Sequence, residues 1–311
     1  MIEGGGLGVF HPSEVGPMDV QVPNGVVDVR VRDEAEATAV AKKYLAFFQG
    51  RTPPGPVPDQ RRLRAAVPEN RLRIYDVRAV IETLADEGST LELRRGFGHG
   101  MVTTLARIEG RPVGIVANDP RHLAGAIDRD GADKATRFMQ LCDGFDLPLV
   151  FLCDTPGIMV GPEAEKQATV RHAARMFVTG ASLTVPFFMI VLRKGYGLGA
   201  QAMAGGSFKN PSFAVAWPTG EFGGMGLEGA VKLGFRKELE AEPDAAARQA
   251  LYERMVARMY DVGKAVNYAP FFEIDDVIDP AESRGWIVAG LESAPPPAPR
   301  AGKKRPCIDT W

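Results

Sequence analysis

The sequence predicts an α/β fold assembled from repeated strand–turn–helix units. Short apolar runs recur between residues 101 and 217, each bounded by glycine or proline, and most are followed by helical periodicity. Glycines gather where the carboxyl ends of these strands would lie, the place where α/β proteins bind ligands. One unit opens with a hairpin, giving strand–strand–helix. That order points away from a doubly wound sheet and toward a spiral of ββα turns.

The elements follow in order. Residues 1–31 are rich in glycine, proline and valine. Asp33–Phe48 reads as a helix: its first turn is acidic, its apolar residues are three and four apart, and its lysines come late, as the helix dipole favours. Gly50–Pro58 is proline-rich and marks a linker over 51–70. Met101–Ile108 and Pro112–Ala117 read as strands around the turn Glu109–Arg111. A helix over Asp133–Phe145, a buried strand over Leu147–Cys153 and a helix over Glu163–Phe177 come next. Val185–Leu192 is a further buried strand, then Gly199–Ala204 a short helix and Phe213–Trp217 a strand. Helices are expected over Gly226–Leu233, Ala245–Val262 and Ala281–Leu291. Residues 294–311, poor in apolar side chains and rich in proline and basic residues, predict a disordered tail.

Composition mainly excludes. The 311 residues allow one large domain or two smaller ones, at roughly 100–200 residues each. Hydrophobic content of 45% with 24% charged residues suits a soluble globular protein. A net charge of -2 leaves no basic excess to displace counterions, so nucleic acid is not an expected partner. The cysteines Cys142, Cys153 and Cys307 form no C-x-x-C pattern, so neither a disulfide framework nor a metal site is expected. No apolar run approaches the roughly 20 residues of a membrane span, and Met1–Gly6 does not resemble a signal peptide. A cytoplasmic protein with no membrane partner is the expectation.

The most informative stretch is Val191–Gly206, where an apolar strand runs into Gly195, Gly197 and Gly199 and then into small, helix-competent residues. Glycine lets a ligand approach the main chain without meeting a Cβ, and a loop that opens a helix presents unpaired N–H groups to an anion. Three chemistries compete for it. Gly195-x-Gly197-x-x-Ala200 satisfies a dinucleotide fingerprint, but the acidic residue that should end the next strand is replaced by Ala216-Trp217-Pro218-Thr219. No Walker loop occurs. A side-chain triad finds no support: His11, His99, His122 and His172 are scattered, no G-x-S-x-G elbow exists, and Asp143, Asp146 and Asp154 fall on different elements. The third chemistry uses the backbone alone. Asp154–Gly157, Gly195–Ala200 and Gly223–Gly226 are three turns able to present N–H groups to an enolate. Beside it stands the plainer view that these glycines only permit tight strand-to-helix turns.

Residues 71–293 closely resemble the C-terminal half of the biotin-dependent acyl-CoA carboxyltransferases, the β-subunit family of propionyl- and acetyl-CoA carboxylases. The matching runs are Tyr75–Arg78 with Glu92-Leu93, Gly110–Asn118, Gly131–Ala135, Leu141–Asp143, Asp154–Gly161, Arg193–Gly197 and Ala216–Thr219. Residues 1–50 resemble the end of the family's N-terminal domain. The resemblance implies a crotonase-like ββα spiral. It also implies a reaction without catalytic side chains, in which a carboxyl group passes from carboxybiotin, borne on a biotin carboxylase/carrier partner, to the α-carbon of a short acyl-CoA.

Carried over residue by residue, it puts one oxyanion hole at Gly199 and Ala200. The biotin side of the cleft falls to Asp154, Thr155, Pro156 and Gly157, with Tyr196, Gly197 and Leu198. The acyl-CoA side falls to Ala202, Met203, Trp217, Pro218, Gly223 and Gly224. This chain has Gly197-Leu198-Gly199 where many members have two adjacent glycines, which leaves the register of the hole open by one residue. It also has Ala202 where many members are acidic. Because the family's N-terminal half bears a second hole, the chain alone is expected not to turn over, and a homo-oligomer or a complex with an N-terminal half is implied. Two alternatives remain: a non-catalytic scaffold that docks the biotin carrier, and a crotonase-like hydratase or isomerase, which would need an acidic side chain beside Gly199.

Overall fold

The computed structural model describes residues 1–310. Its N-terminal segment contains α1 (Met18–Gln21) and α2 (Glu34–Ala46), the latter started by Asp33, whose carboxylate accepts the Glu36 N–H at 2.8 Å. The linker is not featureless. A 3-10 helix over Gln60–Ala65 buries Leu63, and the Thr52 N–H donates to the Gly110 carbonyl at 3.0 Å. Two elements absent from the sequence expectation come next, α3 (Val77–Leu84) and β1 (Leu91–Leu93). Capped by Asp76, α3 buries Val77, Val80, Ile81 and Leu84. At about 2 kcal/mol for each buried aliphatic side chain, tertiary packing holds a helix too short to persist alone.

The hairpin is as expected: β2 (Met101–Ile108) and β3 (Arg111–Asn118) pair antiparallel, with Ile108 opposite Arg111. Its two linking residues, Glu109 and Gly110, both have positive φ (52° and 71°), the primed turn whose twist matches that of the strands. After α4 (Arg129–Gly144) the sheet continues parallel through β4 (Leu149–Thr155) and β5 (Phe187–Tyr196). The helix expected between these strands is broken at Ala168 (φ 54°) into α5 (Pro162–Lys166) and α6 (Thr169–Ala181). Beyond β5 lie α7 (Gly197–Met203), β6 (Phe213–Ala216), β7 (Glu221–Gly223) and α8 (Leu227–Gly234). Then come α9 (Arg236–Ala241), α10 (Ala245–Gly263), α11 (Ala265–Tyr268), β8 (Asp276–Val277) and α12 (Ser283–Ser293). The sheet order is β1-β2-β3-β4-β5-β6-β8, with β7 pairing the end of β5.

Alternation along the central strands separates two cores. Phe151, Cys153, Met189 and Val191 face α4, α6 and α7 in one. Val150, Leu152, Ile190 and Leu192 face α3 and α12 in the other. Residues 294–310 form neither helix nor strand. Most of their charges are nonetheless paired: Arg300 and Lys304 with Asp146 (2.6 and 2.9 Å), Arg305 with Asp143 (2.5 Å), and Asp309 with Arg175. Among the described residues, no helix is long and apolar enough to cross a membrane.

Candidate active site

The carboxyl ends of β4 and β5, with β7 beside the end of β5, meet at the first turn of α7, and there glycines replace most of the side chains. A Cβ on Gly199 would lie 2.6 Å from Cα and 2.7 Å from the carbonyl carbon of Gly157, so these two turns touch backbone to backbone. On the other side, a Cβ on Gly197 (φ 52°) would lie 2.5 Å from the Gly224 carbonyl oxygen. Gly157 and Gly224 themselves face open space. The turn at Gly157 is closed by the Thr155 hydroxyl, which donates to the Gly157 carbonyl at 3.0 Å and accepts the Gly157 N–H at 3.2 Å. All three glycine turns singled out in the sequence therefore converge on one point.

The helix begins two residues before its expected start. Tyr196 is its N-cap, and no side chain caps it. By the i→i−4 rule, the N–H groups of Leu198 and Gly199 have no acceptor inside the helix, whereas that of Ala200 closes on the Tyr196 carbonyl. Leu198 is 62% exposed and stands at the mouth.

The remaining expected site residues divide by accessibility. Pro156, Gly157, Gly197, Pro218, Gly223 and Gly224 are exposed or half-buried around this turn. Ala200, Ala202 and Met203 lie on the underside of α7 in the first core. Trp217 is 1% exposed, packs in the second core, and donates its indole N–H to the Ser283 hydroxyl at 2.8 Å. It faces the opposite side of the sheet from α7. Asp154 is fully buried: its carboxylate accepts the Tyr75 hydroxyl (2.9 Å) and the Lys194 N–H (3.1 Å), and it pairs with Arg193 and Lys194, each at 3.1 Å.

Two features escaped the sequence. Leu123, Ala124 and Gly125 have φ of 47°, 53° and 88°, three left-handed residues in a row between β3 and α4, and the Gly125 backbone packs on the Asp154 carbonyl. Such strain is held where the surroundings over-determine it, commonly at functional sites. No residue pattern announces a left-handed alanine. The second is Glu221, which accepts the Tyr196 hydroxyl at 2.8 Å, one residue from Gly197. Burial, reinforced by Glu221, pushes the Tyr196 phenol well above its ordinary pKa. Burial and then Asp154 do the same for Tyr75, so both phenols stay donors across the physiological range.

Comparison with known proteins identifies the family and the fold. Residues 12–298 match the family described as "Carboxyl transferase domain". The methylmalonyl-CoA carboxyltransferase 12S subunit of Propionibacterium freudenreichii subsp. shermanii is 37% identical over 277 residues, covering 86% of this chain and 52% of that protein. The biotin-dependent long chain acyl-coenzyme A carboxylase beta4 subunit of Mycobacterium tuberculosis is 34% identical over 284 residues, 87% of this chain and 54% of that one. The chain thus spans about half the length of the curated relatives it matches. A single-chain, multi-domain long-chain acyl-CoA carboxylase superposes with a TM-score of 0.87 at 59% identity, over 93% of this chain and 28% of that one. The transcarboxylase 12S hexamer, solved with methylmalonyl-CoA and methylmalonic acid bound, gives 0.84 at 33% identity, over 97% and 60%. With a crotonase-like fold and a match that runs from its N-terminal segment into its tail, this chain belongs to the carboxyl transferase domain family.

Proposed function

We propose that this chain forms one half of a carboxyltransferase site that moves a carboxyl group from carboxybiotin to the α-carbon of an acyl-CoA. The observation that carries the reading is the convergence of three glycine turns on the first turn of α7, where the N–H groups of exposed Leu198 and buried Gly199 have no acceptor inside the helix. Carboxybiotin, when bound, supplies the carboxyl group and, once that is lost, a nitrogen able to take the acyl-CoA α-proton. The cleft edges fit a flat ureido ring, since Gly157 and Gly224 present open space on either side of Leu198.

The chain's own part is electrostatic. The N–H groups of Leu198 and Gly199 would hold an oxyanion, one residue earlier than the Gly199–Ala200 pair expected from the resemblance, because Ala200 is committed to the helix. The positive end of α7 favours developing negative charge there. Water would be kept out by apolar groups at the rim: Leu198, Val160 (83% exposed) and Met225 (42% exposed). So exposed a rim supports a second polypeptide segment as the opposite wall, in line with relatives about twice as long.

The test is carboxybiotin-dependent carboxylation of short and long acyl-CoAs, with this chain alone and with the N-terminal half of a full-length relative. Transfer only in the mixture is the expected result. Robust transfer by the chain alone would overturn the two-part site. Biotin binding with no transfer in either arrangement would favour the docking scaffold instead.

A further inference from the structure

Between β4 and β5 the pairing is interrupted. Cys153 stands opposite Val191, but the next paired residues are Thr155 and Gly195, so one residue of β4, Asp154, faces three of β5. The extra residues fall at Arg193 and Lys194, just ahead of the glycine turn. A bulge leaves local backbone groups without their ladder partners. Here a side chain takes over: Asp154 Oδ1 accepts the Lys194 N–H at 3.1 Å and forms an ion pair with the Lys194 ammonium at 3.1 Å. Its Oδ2 accepts the Tyr75 hydroxyl at 2.9 Å and forms an ion pair with the Arg193 guanidinium at 3.1 Å. Arg193 is held from its other end by the Arg73 carbonyl at 2.8 Å and lies over the Tyr75 ring. The Asp154 backbone is also fixed, its N–H donating to Asn118 Oδ1 at 3.1 Å.

We propose that Asp154 is a positioning residue. Its carboxylate replaces the missing strand acceptor, sets where β5 resumes pairing, and so places the Gly195–Gly199 turn against Gly157. It acts through β5 and does not touch the substrate. Full burial behind Tyr75, Arg193 and Lys194 supports this over direct contact with biotin. The claim about geometry stands by itself, and only its kinetic consequence rests on the carboxyltransferase reading.

Amide hydrogen exchange on the full chain tests the geometry. Asp154→Asn keeps the shape but loses the charge that holds both cations. Exchange in the 193–199 segment should rise about tenfold or more, with β2 and β3 unchanged, because only the local opening equilibrium is weakened. A uniform rise over the whole chain, or none at 193–199, would overturn the proposal. If that variant fails to fold, Tyr75→Phe removes one of the carboxylate's donors; a smaller rise at the same segment is expected, and an unchanged segment would be fatal. In the assembled enzyme, Asp154→Asn should lower kcat about 100-fold with KM for acyl-CoA within about threefold. A raised KM with kcat preserved would make Asp154 a substrate contact and sink the positioning role. If the parent enzyme transfers no carboxyl group but the exchange pattern is as expected, the functional reading fails and the positioning role stands.

Discussion

The two ends of the central sheet are built from opposite materials. At the entry end, prolines precede or open the strands: Pro112 in β3, Pro148 before β4, Pro186 before β5 and Pro211 before β6. Together with the proline-rich tail the first three line a cleft of about 1020 Å³ whose rim charges are already paired. At the exit end, glycines replace them and backbones meet within van der Waals distance. Proline fixes φ and removes a donor, so the entry end is set covalently and presents little to bind. Glycine does neither, so the exit end must be held by neighbours and presents its donors. The same sheet therefore has one end made for order and one for contact.

The sharpest way to break this contrast is a single methyl group. Gly199→Ala should cut carboxyl transfer in the assembled enzyme by about 100-fold or more, since Gly157 cannot yield without moving the turn. Gly229→Ala, into open space on α8, should stay within about twofold of the parent, and equal losses in the two would show that the backbone contact is immaterial. Lys134 comes next, buried in α4 with its ammonium on the Phe97 carbonyl at 2.9 Å. Burial pulls it from 10.5 down to about 8. Between those values the unfolded chain keeps a proton that the folded chain releases, so stability rises with pH across that window and is lost as pH falls through about 8. The stability of the parent relative to Lys134→Met should therefore grow by up to about 3 kcal/mol between pH 7.5 and 10.5, read by denaturant titration at each pH.

Smaller effects separate core from cleft and entry from exit. Trp217→Phe should cost about 2 kcal/mol through lost volume and the lost Ser283 bond, with KM for acyl-CoA unchanged. A raised KM would return Trp217 to the substrate wall. At the entry end, Arg305→Ala should lower stability by about 1 kcal/mol, an effect that shrinks in high salt, without altering transfer. Altered transfer would show that the two ends communicate.

What could be read beforehand follows the same division. The β2–β3 hairpin and the apolar strands were legible because their patterns are local. The end of β5 was not: Lys194–Tyr196 continue the strand by pairing with β7, and the Lys194 N–H goes to the carboxylate of Asp154, 40 positions earlier in the chain. Trp217 beside Pro218 looked like a cleft wall, yet strand alternation turns it into the second core. The gathering of glycine turns was visible, but which N–H groups stay free depends on where α7 starts. α3 is too short for its periodicity to speak above the linker before it. The ion pairs of the tail join groups some 160 positions apart, which no local pattern encodes.

The contact between Gly157 and Gly199 also limits how such a site can diverge. Selection ordinarily retunes a binding surface by exchanging side chains, and here the crucial contact has none to exchange. New substrate preferences would have to arise from the periphery, at Leu198, Val160 or Met225, while the centre is inherited unaltered. A library that randomises the rim and leaves both glycines untouched should contain most of the functional variants this scaffold can reach.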